Sequence, residues 1–152
     1  MAARRRIAVI GGREASEEAL QFAYDIGRKI AEKNAILFTG GAFGVMEAAS
    51  KGASEAGGTV VGILKEDNIS KMNAYVEIPI ATGMGDMRNS IILRSVDGAI
   101  AVAGGYGTLS EIAFARGYEV PVVAFKSWDI PGVIPVKNAD EAIETLYKLL
   151  EG

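Results

Sequence analysis

A chain of 152 residues suits one domain of ordinary size, and 49% hydrophobic with 23% charged residues is the balance of a globular protein with a substantial core. A net charge of −3 argues against a general nucleic-acid binder, because displacing counterions from a duplex needs a strong cationic excess. With no cysteine and no histidine, disulfides, thiolate chemistry, zinc sites and histidine-based proton transfer are excluded, and no metal is expected.

Any proton transfer therefore falls to carboxylates, lysine, tyrosine or ordered water. No signal peptide and no apolar run of about eighteen residues is present, so a cytoplasmic protein without a membrane partner is expected. Arg4, Arg5 and Arg6 form the one basic run, which reads as a solvated chain end.

Ile7 to Ile10 is an apolar strand that stops at Gly11-Gly12. A helix is predicted from about Ser16 to Lys33, with Leu20, Ala23, Ile26, Gly27 and Ile30 at helical spacing and Ser16 as N-cap. Ala35 to Phe38 is the second strand, closed by Thr39-Gly40-Gly41, and a small-residue helix follows from about Phe43 to Ala56. Thr59 to Leu64 is the third strand. Lys65 to Ala74 is polar and patternless, which predicts a mobile surface loop.

Tyr75 to Ile80 reads as a strand, Gly85 to Ser95 as a helix, and Asp97 to Val102 as a near-continuous apolar strand. A helix from about Thr108 to Tyr118 leads to a strand from Pro121 to Phe125. A short strand near Val133 to Val136 and a closing helix from about Asp140 to Leu150 complete the pattern. Strands alternating with helices predict an α/β fold, a single doubly wound Rossmann-like domain over residues 1–152. Its parallel sheet should have about six or seven strands with helices on both faces, since the strands are apolar throughout.

Nineteen glycines are an excess that falls in clusters. Gly11-Gly12, Gly40-Gly41 and Gly104-Gly105 each end a strand and open a helix. That edge of an open α/β sheet is where ligands bind. Glycine lets backbone approach a ligand, and free amides at a helix start favour an anion. The three turns predict a site for a phosphate or another oxyanion. The dinucleotide pattern Gly-x-Gly-x-x-Gly is missing after the first strand, no acidic residue ends Thr59 to Leu64, and no Walker motif occurs, which disfavours NAD and ATP.

Arg88 falls in the first turn of its predicted helix, either clamping a phosphate or forming a surface ion pair. Glu111 falls in the first turn after the third glycine cluster, where it either favours the helix dipole or stands over a bound ligand.

Gly104-Gly105-Tyr106-Gly107-Thr108-Leu109-Ser110-Glu111 resembles the Pro-Gly-Gly-x-Gly-Thr-x-x-Glu motif of the LOG (Lonely Guy) family. These proteins are nucleoside 5′-monophosphate phosphoribohydrolases, a group also labelled "possible lysine decarboxylase". Arg88 stands where that family has the arginine of a Glu-Arg-Lys element. Thr39-Gly40-Gly41-Ala42-Phe43-Gly44-Val45-Met46 looks like its second glycine turn. The likeness runs through about the first 126 residues.

Three positions depart from the pattern: Ala103 replaces the leading proline, Met87 the acidic residue and Asn89 the lysine. These departures look more like the molybdenum-cofactor-carrier branch, whose members bind an anionic pterin phosphate without hydrolysing it. A decarboxylase is disfavoured, because pyridoxal chemistry needs a Schiff-base lysine and none of the three glycine turns contains one.

The resemblance implies a binding or carrier protein for a phosphate-bearing small molecule, a nucleotide or a pterin phosphate. Gly11, Gly12, Gly40, Gly41, Gly44, Asn89, Gly104, Gly105, Tyr106, Gly107 and Thr108 would line the site, with Arg88 as counter-charge. The alternative is a LOG-type phosphoribohydrolase in which Arg88 positions the nucleotide and Glu111 acts on the ribosyl centre. A scaffold without ligand is the third reading. No cofactor is required; a nucleotide, phosphate or molybdopterin-type ligand is the expected occupant. Side chains around Phe43, Met84, Met87 and Tyr106 would select it. Met84, Met87, Ile91, Ile92 and Leu93 exceed one sheet-facing stripe, which predicts a homo-oligomer, dimer or higher.

Overall fold

The computed structural model describes residues 3–152. In chain order the elements are β1 (Arg6–Gly11), α1 (Glu17–Glu32), β2 (Ile36–Thr39), α2 (Val45–Glu55), β3 (Thr59–Leu64) and β4 (Ile78–Ala81). A 3-10 turn (Gly85–Met87) then runs into α3 (Arg88–Arg94), followed by β5 (Gly98–Val102), α4 (Tyr106–Gly117), β6 (Val122–Phe125), β7 (Ile134–Pro135) and α5 (Ala139–Glu151).

All seven strands join one parallel sheet in the order β4-β3-β2-β1-β5-β6-β7. The α/β doubly wound fold is as the apolar strands and intervening helices indicate. The chain builds outward from β1 to β4 and then returns to place β5 against the other side of β1. Strand order therefore reverses between β1 and β5, which puts the crevice of this fold beyond their C-terminal ends.

Side chains alternate across each strand, and both sets are apolar. Ile7, Val9, Leu37, Ile100, Val102 and Val123 face a layer that includes Phe22, Ile26 and Ile30 of α1, Val45 of α2 and Leu146 of α5. Ala8, Ile10, Val61, Ile63, Ala101 and Val122 face Ile92 and Leu93 of α3 and Ile112 of α4. Burying a large aliphatic side chain stabilises by about 1.5–3 kcal/mol, so this two-sided pattern holds the sheet rigid under the site. Helices α1 and α2 cross at glycine contacts. A Cβ on Gly27 would stand 1.9 Å from the Ala49 carbonyl oxygen, and one on Gly52 2.0 Å from that of Tyr24.

Ser16 caps α1 as expected, its hydroxyl accepting from the Ala19 amide. The basic run is exposed at Arg4 and Arg6 and half-buried at Arg5, in keeping with a solvated end, and it also makes contacts of its own. Arg4 donates to the Asn34 carbonyl (2.9 Å) and to Thr59 Oγ1 (3.2 Å), Arg5 lies over Tyr147, and Arg6 opens β1 over the Phe38 ring. All three belong to the sheet's N-terminal edge, away from the glycine turns.

The 65–74 segment is fastened at its far end. Asn73 is buried, its amide donates to the Gly41 carbonyl, and its side chain donates to that of Ala42. The same side chain accepts from the Tyr75 amide, making a turn where a strand was expected, so β4 starts only at Ile78. Of the five apolar residues predicted to form a surplus near α3, Ile92 and Leu93 are core, while Met84 and Met87 are exposed. None of the described helices is long and apolar enough to cross a membrane.

Candidate functional site

The three glycine turns follow the C-terminal ends of β1, β2 and β5 and so share one edge of the sheet. A cavity of about 320 Å³ opens there, within the size range of small-molecule sites. It is lined by Gly11, Gly12 and Arg13 at and just past the end of β1 and by Gly105, Gly107, Thr108 and Glu111 of the third glycine loop and α4. Arg88, Asn89, Asp86, Lys65 and Met46 complete the lining.

The glycines divide by what they are for. Gly104 has φ +96°, and a Cβ there would meet Thr108 Oγ1 at 2.1 Å, so the fold requires glycine at that position. Gly41 and Gly44 also have positive φ and tight neighbours, and with Gly40 they stand off the cavity wall. Gly105 and Gly107 are different. Both have negative φ or helical geometry, and a Cβ on either would meet nothing within 4 Å. Both line the cavity, and no packing contact accounts for glycine at either position. No side chain caps α4, which leaves its first-turn amides open toward the cavity.

The second glycine turn reaches the site through Arg88. Its Nη1 donates to the Gly40 carbonyl (2.8 Å) and the Ile63 carbonyl (2.7 Å), and its Nε donates to Asn89 Oδ1 (2.8 Å). Gly40 lets the guanidinium lie against the backbone, since a Cβ there would be 2.8 Å from Cζ. Asn89 is buried and also donates to Ser110 Oγ on α4 (3.1 Å), so it braces the arginine against α4. Burial lowers the Arg88 pKa, opposed by the neighbouring carboxylates of Glu111, Glu66 and Asp86. The side chain is neither a free clamp nor a surface ion pair: Nη1 holds both strand-end carbonyls, Nε is engaged by Asn89, and Nη2 has no protein acceptor among the described residues.

Glu111 is 8% exposed, on the α4 wall. Burial pushes its carboxyl up to about 8, with Arg88 pulling in the other direction and no hydrogen bond contributing. Near pH 7 this group is mostly the neutral acid, so it stands over the cavity without the anionic charge that a carboxylate there implies.

Three cavity residues carry no sequence motif: Asp86, ahead of α3, and two basic side chains. Arg13 and Lys65 are the basic side chains just past β1 and β3, and only the strand order shows that these ends converge. Lys65 also corrects the argument against a decarboxylase, because the cavity does contain a lysine, supplied by a connection outside the glycine turns. Tyr106, 84% exposed, lies beside the cavity instead of on its wall. Phe43, Met84 and Met87 are exposed and off the wall as well.

Ala103 has φ +48°, and its amide donates to the Phe125 carbonyl (3.0 Å). Proline fixes φ near −65° and has no N–H, so this backbone cannot take the leading proline of the LOG motif. Ala103 is therefore a different loop geometry and not merely a different side chain.

A doubly wound parallel sheet with a basic, glycine-walled cavity at its switch point defines a Rossmann-type protein of the LOG-like class. The chain belongs to the SLOG cluster4 family, whose model matches residues 4–149. It is 51% identical over 110 residues, 72% of each chain, to a protein of Archaeoglobus fulgidus. It is 32% identical over 106 residues to the cytokinin riboside 5′-monophosphate phosphoribohydrolase LOG5 of Arabidopsis thaliana, a match over 67% of this chain and only 45% of that one. Among solved structures it is similar to the molybdenum cofactor binding protein of Rippkaea orientalis, with a TM-score of 0.93, 34% identity and 99% of each chain covered.

Proposed function

We propose that this protein binds a phosphate-bearing small molecule, a nucleotide or pterin phosphate, in the cavity between β1 and α4, and holds it without cleaving it. The observation that carries the reading is the pair Gly105 and Gly107, which line the cavity and whose Cβ positions no packing contact closes. Arg13, Lys65 and Arg88 supply cationic charge around that space, and the buried Glu111 is mostly uncharged near pH 7. The α4 amides would receive the phosphate oxygens, and the Thr108 hydroxyl could join them. The likeness to the Rippkaea orientalis cofactor-binding protein over the full chain supports a carried ligand, with a molybdopterin-type molecule as one candidate.

Calorimetric titration with ribose 5-phosphate, AMP and a pterin phosphate tests this. Lys65→Ala and Arg13→Ala should each weaken binding about 10- to 150-fold, the scale of a charge-assisted hydrogen bond. Arg88→Ala should do so as well, but it also frees two strand-end carbonyls, so the other two variants decide the matter. Unchanged binding in both Lys65→Ala and Arg13→Ala sinks the site.

A second reading, a LOG-type phosphoribohydrolase, is favoured by one feature. An acid titrating near 8 is poised to protonate a departing base. Release of ribose 5-phosphate from a panel of nucleoside monophosphates, abolished in Glu111→Gln, would replace the carrier reading with this one.

A further inference from the structure

We infer that Tyr106 and Trp128 form a stacking platform for a planar heteroaromatic ring on the phosphate-bearing ligand, an inference that rests on the proposed function and extends it to the other end of the molecule. Tyr106 is the first residue of α4, between the two cavity-lining glycines Gly105 and Gly107, and it is 84% exposed. Leaving so large an aromatic in water at that place needs a reason. Its ring packs against Trp128, centroids 6.0 Å apart and planes inclined by 28°.

The platform is held in place by hydrogen bonds from the loop after β6. Trp128 Nε1 donates to the Gly105 carbonyl (3.0 Å), and Ser127 Oγ donates to the Ala103 carbonyl (2.7 Å). Lys126, at the head of this loop, has φ +50°, a left-handed turn that swings the segment toward the glycine loop. Two hydrogen bonds therefore tie the aromatic pair to the glycine loop. Trp128 also lines a second cavity of about 340 Å³, together with Ser127, Asp129 and Val133. It opens at the end of β6, next in the sheet to β5, whose end carries the glycine loop. A ligand with its phosphate against Gly105 and Gly107 has Tyr106 immediately beside it, and a ring one sugar-length away reaches the aromatic faces. Stacking on such faces tolerates any flat heterocycle and needs no hydrogen-bond code.

Trp128 is the single tryptophan of the chain, so its fluorescence reports on the platform directly. The wild-type protein and Tyr106→Ala are titrated with AMP, GMP, ribose 5-phosphate and inorganic phosphate, following fluorescence and heat. The expected result is quenching by the nucleotides alone, with at least one nucleotide binding about tenfold more tightly than ribose 5-phosphate. Tyr106→Ala should remove that advantage and leave ribose 5-phosphate affinity within about twofold. A thermal melt confirms that this exposed substitution leaves the fold intact. Equal affinity for nucleotides and ribose 5-phosphate overturns the platform while the phosphate site stands. So does a Tyr106→Ala loss that falls equally on all ligands. If ribose 5-phosphate and phosphate also fail to bind, the proposed function fails, and the platform with it.

Discussion

Replacing Gly107 by alanine should raise stability and lower affinity, two effects that a purely structural glycine cannot combine. Gly107 is the second residue of α4, and a Cβ built there meets no atom within 4 Å. Alanine is favoured over glycine inside a helix by about 0.5–1 kcal/mol, and somewhat less in a first turn. At this chain length about 0.5 kcal/mol corresponds to a Tm increase of roughly 1–2 °C. The added methyl occupies the cavity and holds a phosphate away from the α4 amides. Losing one charge-assisted hydrogen bond of about 1.5–3 kcal/mol weakens binding by about 10- to 150-fold. Scanning calorimetry without ligand and titration with ribose 5-phosphate measure both quantities on one sample. Gly104→Ala is the control: φ +96° and the clash with Thr108 should lower stability by about 2 kcal/mol or more. A Gly107→Ala protein that binds ribose 5-phosphate as the wild type does refutes the reasoning, because the one group added fills the space assigned to the phosphate.

Two other outcomes follow from the same geometry. Ala103→Pro should destabilise by about 3 kcal/mol or more, since it forces φ from +48° and deletes the bond to the Phe125 carbonyl; an unchanged melt would show that the loop accepts the LOG form after all. A homo-oligomer is expected through the exposed Ile78 and Ile80 of edge strand β4 with Met84 and Met87 beside it, and sedimentation giving only monomer at micromolar concentration defeats that expectation.

The sheet was legible because its strands are apolar on both faces and three of them, β1, β2 and β5, run into glycine pairs. Those are local signals, and the fold obeys them. Much of the site was not local. Arg13 and Lys65 follow β1 and β3, which are not neighbours in the sheet, and their convergence appears only once strand order is known. A basic residue immediately past a strand on the ligand edge was the available clue. Arg88 had two sequence readings, and the structure gives it a third task, because the carbonyls of Gly40 and Ile63 need a donor where β2 and β3 stop. The 75–77 segment has strand-forming residues, yet the Asn73 side chain captures the Tyr75 amide and turns the chain first. Local side-chain hydrogen bonding outweighs β-propensity there.

Glu111 allows the carrier and the hydrolase to be separated by pH. Without ligand its carboxyl titrates near 8 in the folded protein against 4.5 for the free side chain. The folded state thus holds a proton that the unfolded chain releases, and this contribution to stability is fully present below about pH 4.5 and is lost as pH rises through about 8. Glu111→Gln removes the ionisation, so its stability should be flatter across that window and exceed the wild type's above pH 8. Binding moves in the same sense. An arriving phosphate raises the Glu111 pKa further, so above pH 8 each binding event takes up a proton and wild-type affinity falls by up to about tenfold per pH unit. Below pH 7 the neutral acid donates to the ligand, and affinity should no longer change with pH through this group. Glutamine keeps a donor and no charge. In a carrier, Glu111→Gln should therefore bind as tightly as the wild type at pH 7 and more tightly at pH 9. In a hydrolase the same variant binds AMP but releases no ribose 5-phosphate, because the amide has no proton to give to the leaving base. Calorimetry in two buffers of different ionisation enthalpy counts the protons taken up. No proton uptake at pH 9, together with identical pH profiles for wild type and Glu111→Gln, would show that Glu111 does not face the ligand.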